Sequence, residues 1–211
     1  MAAKYPDYYP HLPGALPGGR TLDPELFDTS LLGEELANLR PPSPSTLLMG
    51  RIAWTARHAH KAMARSFGWR WLILGLMLRY KLDFKWRKKS KYDRRAALGS
   101  SLVAALRRSL MDREVPLWLN TDFRQLVMKD GKVSGIVVHR DGRDMTLDAR
   151  LGVIFASGGF EQNQTLREHY LPKPTQMSWS ATPPGNNTGA ALLAGVEAGA
   201  CLLYTSPSPR D

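Results

Sequence analysis

The stretch that most restricts the fold is "VIFASGGFEQN", residues 153 to 163, where an apolar β-branched run meets Ser-Gly-Gly and a polar segment follows. A helix closed by glycine carries the glycine after its periodic residues, so small residues at this point mark the end of a strand. In an α/β sheet that is where a ligand comes close to the backbone. "GVIFA", residues 152 to 156, is continuously apolar, which predicts a strand covered on both faces. A helix is expected to begin at Glu161.

The preceding segment supplies the rest of a sheet. "VPLWLN", residues 115 to 120, reads as a strand. Residues 122 to 149 alternate in character around two turn signals, Asp130-Gly131 and Asp141-Gly142, which predicts an antiparallel three-stranded meander. Before it, "ALGSSLVAALRRSLMDR" places Leu98, Leu102, Ala105, Leu106 and Leu110 at helical spacing, the pattern of an amphipathic helix. After it, "PPGNNTGAALLAGVEAGA" is a Gly/Asn turn feeding a helix of small residues, suited to close packing on a flat partner.

The first 95 residues are different in kind. Proline and glycine dominate residues 5 to 46 and forbid regular helix through most of it, while Tyr5, Tyr8, Tyr9 and Phe27 favour packing over a solvated linker. A helical pattern runs from Leu47 to Phe67. His58 and His60 inside it are two apart, which rules out an i, i+4 metal pair. Trp69 to Leu78 reads as a buried or interfacial helix, far short of the ~20 residues that cross a bilayer. Lys81 to Arg95 is basic with Phe84, Trp86 and Tyr92 interleaved. Nucleic acid, an acidic lipid surface and plain solvent all suit such a run, and the net charge of +10 favours an anionic partner without choosing one.

The single cysteine, Cys201, excludes an internal disulfide framework and a multi-cysteine metal site, so no metal is expected and a reducing, cytoplasmic setting is the default. The start lacks the pattern of a secretory leader. Residues 201 to 211 have little core-forming character and read as a non-native tail.

In order, these pieces resemble the fumarate reductase/succinate dehydrogenase flavoprotein superfamily: helix, strand, meander, strand, "ASGGFEQN", then "NTG" opening a helix that ends "AGA". "PDYYPHLPGALPGGRTL", residues 6 to 22, resembles its 3-ketosteroid Δ1-dehydrogenase branch. The implied fold is α/β. Residues 96–200 are part of a Rossmann-like FAD-binding domain with its antiparallel meander, and residues 1–95 part of an inserted, mainly helical substrate domain. The superfamily's G-x-G-x-x-G pyrophosphate turn is not in this sequence, so the expectation is an internal fragment of a longer flavoprotein that binds FAD weakly by itself.

The resemblance also implies the site. Ala156, Ser157, Gly158 and Gly159 form a wall of the FAD site. The main chain of Phe123 pairs with the adenine edge. Asn187, Thr188 and Gly189 make a second flavin-facing turn, although Ala190 stands where the family usually has an acidic residue. Tyr8, in the "PDY" segment, is the catalytic tyrosine at the substrate. The implied reaction is 1,2-desaturation of a 3-ketosteroid, with hydride passing to flavin N5. The resemblance leaves the electron acceptor open. A fumarate-reductase-like enzyme on another substrate is the alternative within flavoproteins. A basic membrane- or nucleic-acid-binding module is the alternative outside them. Nucleic acid is not expected as a partner, and a peripheral contact of Lys81–Arg95 with a membrane surface stays open.

Overall fold

The structure is a computed structural model that describes residues 9, 11–18, 22–182 and 184–200. The chain divides into two compact units, residues 1–116 and 117–211. Among the described residues both sheets are antiparallel.

In the first unit, strand β1 (Phe27–Asp28) pairs with β2 (Arg95–Ala96), and a 3-10 segment (Thr29–Asn38) follows β1. The helices are α1 (Ala56–Met63), α2 (Trp69–Leu82), α3 (Phe84–Arg87) and α4 (Leu98–Asp112). The apolar core is small: Leu47, Ala53 and Ala97, with Leu26, Tyr92 and Leu98 packed on it. Asp93 fixes the surroundings of that core. Its buried carboxylate accepts from the Ala53 amide (3.3 Å), the Arg79 guanidinium (3.3 Å) and the Arg95 amide (3.0 Å).

The helix expected over Leu47 to Phe67 contracts to α1. Met49 and Gly50 adopt φ of 55° and 70°, which turns the chain so that Leu48 bridges Ile52. Only after this turn does Thr55 cap α1, accepting from the His58 amide at 3.2 Å. In return, the Thr55 amide donates to His58 Nδ1 at 3.4 Å. Burial, and then Arg79, lowers the His58 pKa, which keeps the imidazole neutral and able to accept.

The amphipathic reading of α4 is right about the helix and wrong about its face. Ser101 and Ala104 are the buried residues, whereas Leu102, Leu106 and Leu110 are exposed. Polar contacts decide the rotation: the Ser101 hydroxyl donates to the Glu25 carbonyl, Arg107 pairs with Glu35 at 2.9 Å, and Arg108 donates to the Leu31 carbonyl at 2.7 Å.

In the second unit, strands β3 (Asp122–Lys129), β4 (Lys132–Arg140) and β5 (Arg143–Asp148) form the expected meander. Each hairpin turns over two residues. Asp130 and Gly131 have φ of 51° and 71°, Asp141 and Gly142 of 51° and 77°. Positive φ at both central residues gives the twist that matches paired strands. Helices α5 (Gln164–Tyr170) and α6 (Ala190–Glu197) complete the unit, and α6 lies against β3.

Two expected strands are absent. Residues 115 to 120 and 152 to 156 belong to no ladder among the described residues. The expectation of a strand covered on both faces fails for the second of them, since Ile154 is 93% exposed and the adjoining Leu151 is fully exposed. A strand is defined by its neighbours, and no described segment pairs with either run. The helix expected from Glu161 starts three residues later, because Asn163 is its cap: the side chain accepts from the Leu166 amide at 3.1 Å. No helix among the described residues is long and apolar enough to cross a membrane.

Candidate functional site

Two turns of the second unit lock into each other. The Gly189 amide donates to the Gly159 carbonyl at 3.1 Å, and the Gln162 amide donates to the Asn187 carbonyl at 3.2 Å. Side chains repeat the link. Glu161 Oε1 accepts from Asn187 Nδ2 (2.7 Å) and from the Thr182 hydroxyl (2.8 Å). Gln162 Nε2 donates to the Thr182 carbonyl (2.8 Å), and Asn163 Nδ2 donates to the Thr188 carbonyl (3.0 Å). Glu161 is the centre of this clasp. Hydrogen bonds from Asn187, from its own backbone amide and from Thr182 lower its pKa, with desolvation opposing them and Arg167 adding a smaller pull.

The clasp explains three glycines. Gly158 and Gly189 both have φ of 81°, a conformation that disfavours any side chain. A Cβ at Gly158 would stand 2.8 Å from Asn187 Cγ, one at Gly159 2.6 Å from Glu161 Oε2, and one at Gly189 2.9 Å from Phe160 Cβ. The small residues at 158, 159 and 189 therefore have a reason beyond room for a ligand: they let one turn approach the other.

One side of the clasp stays open. Ala156, Ser157 and Gly158 are exposed, and their main chain enters no ladder among the described residues. Phe155 turns edge-on to Phe123 of β3, with ring centroids 5.0 Å apart at 83°. The structure thus joins Phe123, Ala156, Ser157, Gly158, Gly159, Asn187, Thr188 and Gly189, named from sequence, into one continuous region. Tyr8 lies outside the described residues. Ala190 is the first residue of α6, whose cap Gly189 offers no side-chain acceptor to the first-turn amides.

Sequence reasoning missed Glu161, Gln162, Asn163 and Thr182. Asn163 carried a signal, an amide side chain three residues before Leu166 at a helix start. Glu161 and Thr182 are 21 residues apart, and no local pattern announces such a pair. No cluster of metal ligands occurs among the described residues.

The family model described as FAD binding domain matches residues 14–207. The 3-oxosteroid 1-dehydrogenase of Comamonas testosteroni is 42% identical over 92% of this chain and 34% of its own length. That of Mycolicibacterium smegmatis is 33% identical over 94% of this chain and 35% of its own length. Among solved structures, the 3-ketosteroid Δ1-dehydrogenase of Sterolibacterium denitrificans in complex with 1,4-androstadiene-3,17-dione superposes with a TM-score of 0.90 at 50% identity. That match covers 94% of this chain and 36% of that one. The chain spans about a third of the length of these relatives.

Proposed function

This chain belongs to the FAD binding domain family, and from that premise we propose that it takes part in the 1,2-dehydrogenation of a 3-ketosteroid. The observation that carries the reading is the likeness, in sequence and in fold, to a dehydrogenase bound to a steroid 1,4-diene-3-one. In this reading residues 96–200 are part of a Rossmann-like FAD-binding domain, and residues 1–95 part of an inserted, mainly helical substrate domain.

The residues of the second unit fit a flavin. Bound FAD supplies the hydride acceptor for the desaturation. The open main chain of Ala156, Ser157 and Gly158 offers backbone donors and acceptors with no side chain larger than a hydroxymethyl in the way. Gly159 belongs to the same wall, and Phe123 contributes its main chain at the adenine end. Glu161 takes the Nδ2 donor of Asn187, which fixes the amide so that Oδ1 is left as its acceptor. Asn187, Thr188 and Gly189 are thereby held as one rigid turn beside the wall. Tyr8 is assigned to the substrate as the phenol that exchanges a proton with the steroid ring. A tyrosine with its ordinary pKa of ~10 is a weak base at neutral pH, so that role needs a neighbouring donor or positive field.

The test is a chimera in which residues 14–200 replace the matching third of the Comamonas testosteroni enzyme. Under anaerobic conditions a 3-ketosteroid should bleach its flavin, and Tyr8→Phe in a chimera extended to include that residue should slow the bleaching by roughly 10²–10⁴-fold. A chimera that carries FAD but is reduced by no 3-ketosteroid would refute the substrate class. One that folds without FAD would refute the site.

A further inference from the structure

The first unit contains a cavity of about 160 Å³ beside the end of its 3-10 segment. Leu36, Leu39, Pro41, Pro42, Trp86 and Tyr92 give it apolar walls. These walls are fixed by bonds that no ligand has to supply. The Leu39 amide closes the 3-10 segment on the Leu36 carbonyl at 3.1 Å, and two successive prolines then hold the backbone. On the aromatic side, the Trp86 indole donates to the Tyr92 carbonyl at 3.1 Å, and the Tyr92 amide donates to the Ser90 hydroxyl oxygen at 3.1 Å. The space is therefore preformed.

Its polar lining has one sign. Arg40, Ser90, Arg95 and Ser100 bring N–H and O–H donors to it. Among the described residues the Arg40 guanidinium makes no hydrogen bond or ion pair, and the Ser100 hydroxyl makes no hydrogen bond. Ser100 also stands in the first turn of α4, a helix of 15 residues whose cap, Ala97, offers the amides there no side-chain acceptor. The positive end of that helix adds to the field. Asp93 is the one carboxylate in the lining among the described residues, and it is already spent. Its Oδ1 takes the Arg95 amide (3.0 Å) and guanidinium (3.5 Å), and its Oδ2 the Ala53 amide (3.3 Å) and Arg79 (3.3 Å). The remaining partners are donors around apolar space. A cavity of about 310 Å³ elsewhere in the unit differs: Asp23, Glu25, Arg57 and His58 line it, so it carries both signs and selects neither.

We propose that this cavity is a binding site for a small aromatic carboxylate. The carboxylate meets Arg40, Arg95 and the Ser100 hydroxyl, and the ring packs against the leucines, prolines and aromatic side chains. A bare inorganic anion would leave the apolar walls uncovered. A neutral ring would leave the guanidinium groups without a counter-charge. Size sets the other limit, because sites for drug-sized molecules begin at ~300 Å³. A single ring fits, and a four-ring steroid does not. The proposal rests on the first unit alone and stands apart from the reaction proposed above.

The experiment is a titration of the ¹⁵N-labelled chain with benzoate, followed by nuclear magnetic resonance. The Trp86 indole signal and the Ser90 and Ser100 amides should shift to saturation, with a Kd of about 1 mM or below, while the Gln162 and Gly189 amides stay in place. Benzamide, of the same shape without the charge, should bind roughly tenfold more weakly or worse. Arg40→Gln should weaken benzoate roughly tenfold and Arg40→Lys by less, whereas Lys132→Gln in the second unit should change nothing. Ser100→Leu should abolish binding by filling the space. If that variant fails to fold, Arg40→Gln decides, because Arg40 is exposed and its side chain bonds to nothing in the structure. Four outcomes would overturn the proposal. Benzoate produces no saturable shift at these signals, benzamide or inorganic phosphate binds there as tightly, the Arg40→Gln variant binds benzoate like the parent, or a 3-ketosteroid displaces benzoate from the site.

Discussion

Strand β4 and the run from Gly152 to Ala156 share one local feature, neighbouring apolar β-branched residues, and only β4 enters a ladder. The meander needs no distant partner. Two-residue turns at Asp130-Gly131 and Asp141-Gly142 bring each strand back onto its neighbour, and Val138 ends up nearly sealed at 4% exposure. The Gly152–Ala156 run has no such device. It is held only towards its C-terminal side, by Phe155 against Phe123 and, three residues beyond it, by the Gly159–Gly189 hydrogen bond, while its own backbone remains open. Paired strands give a rigid support, and an unpaired run in the same unit gives a surface on which a ligand can lie.

This contrast can be broken in four places. The largest effect is expected at Gly135 in β4, where a Cβ would run into the Leu147 carbonyl and stand 3.3 Å from Asp148 Cα. Both are backbone atoms with nowhere to go. Gly135→Val should lower the stability of the second unit by about 3 kcal/mol in a denaturant titration. Val138→Ala, which empties a sealed position of the same strand, should cost about 2 kcal/mol.

The third break is in the clasp. Glu161→Ala should speed hydrogen exchange at the Gln162 and Gly189 amides and leave the meander amides as slow as before. Acid should do the same to the native chain. Because the folded state lowers the Glu161 pKa, its contribution is complete above the ordinary carboxylate range, near ~4.3, and is lost as pH falls through the folded value. Exchange at those two amides, corrected for its intrinsic pH dependence, should therefore rise only on the acid side. The smallest effect is expected in the open run: Ile154→Ser should change stability by no more than about 0.5 kcal/mol, because the side chain already faces solvent. A large cost there would mean that the run is a paired strand after all.

Much of this was legible in the sequence, for a physical reason that differs by element. The meander and α6 announce themselves through turn chemistry that acts over a few residues, so Asp-Gly and Asn-Thr-Gly suffice. The start of α5 was misread by three residues because Glu161 looks like a helix opener, whereas its carboxylate is occupied by Asn187 and Thr182 from a distant turn. The faces of α2 and α4 could not be read from periodicity, since buried polar contacts, Arg79 with Asp93 and Ser101 with the Glu25 carbonyl, outrank the leucine stripes in setting rotation. At the candidate site, the glycines were legible as small residues at a strand end. Their second task, admitting the opposing turn, depends on contacts about 30 residues away, as between Gly158 and Asn187.

The central claim is that the open side of the clasp meets FAD, and flavin content tests it most directly. In the chimera with the Comamonas testosteroni enzyme, bound FAD would be measured by absorbance per mole of folded protein, for the parent and for Ser157→Trp. Ser157 is exposed on the open side and takes no part in the clasp, so the clasp can still close. The account predicts stoichiometric FAD in the parent and loss of most of it in the variant, because the indole occupies the open face. Full flavin in the folded variant would contradict it.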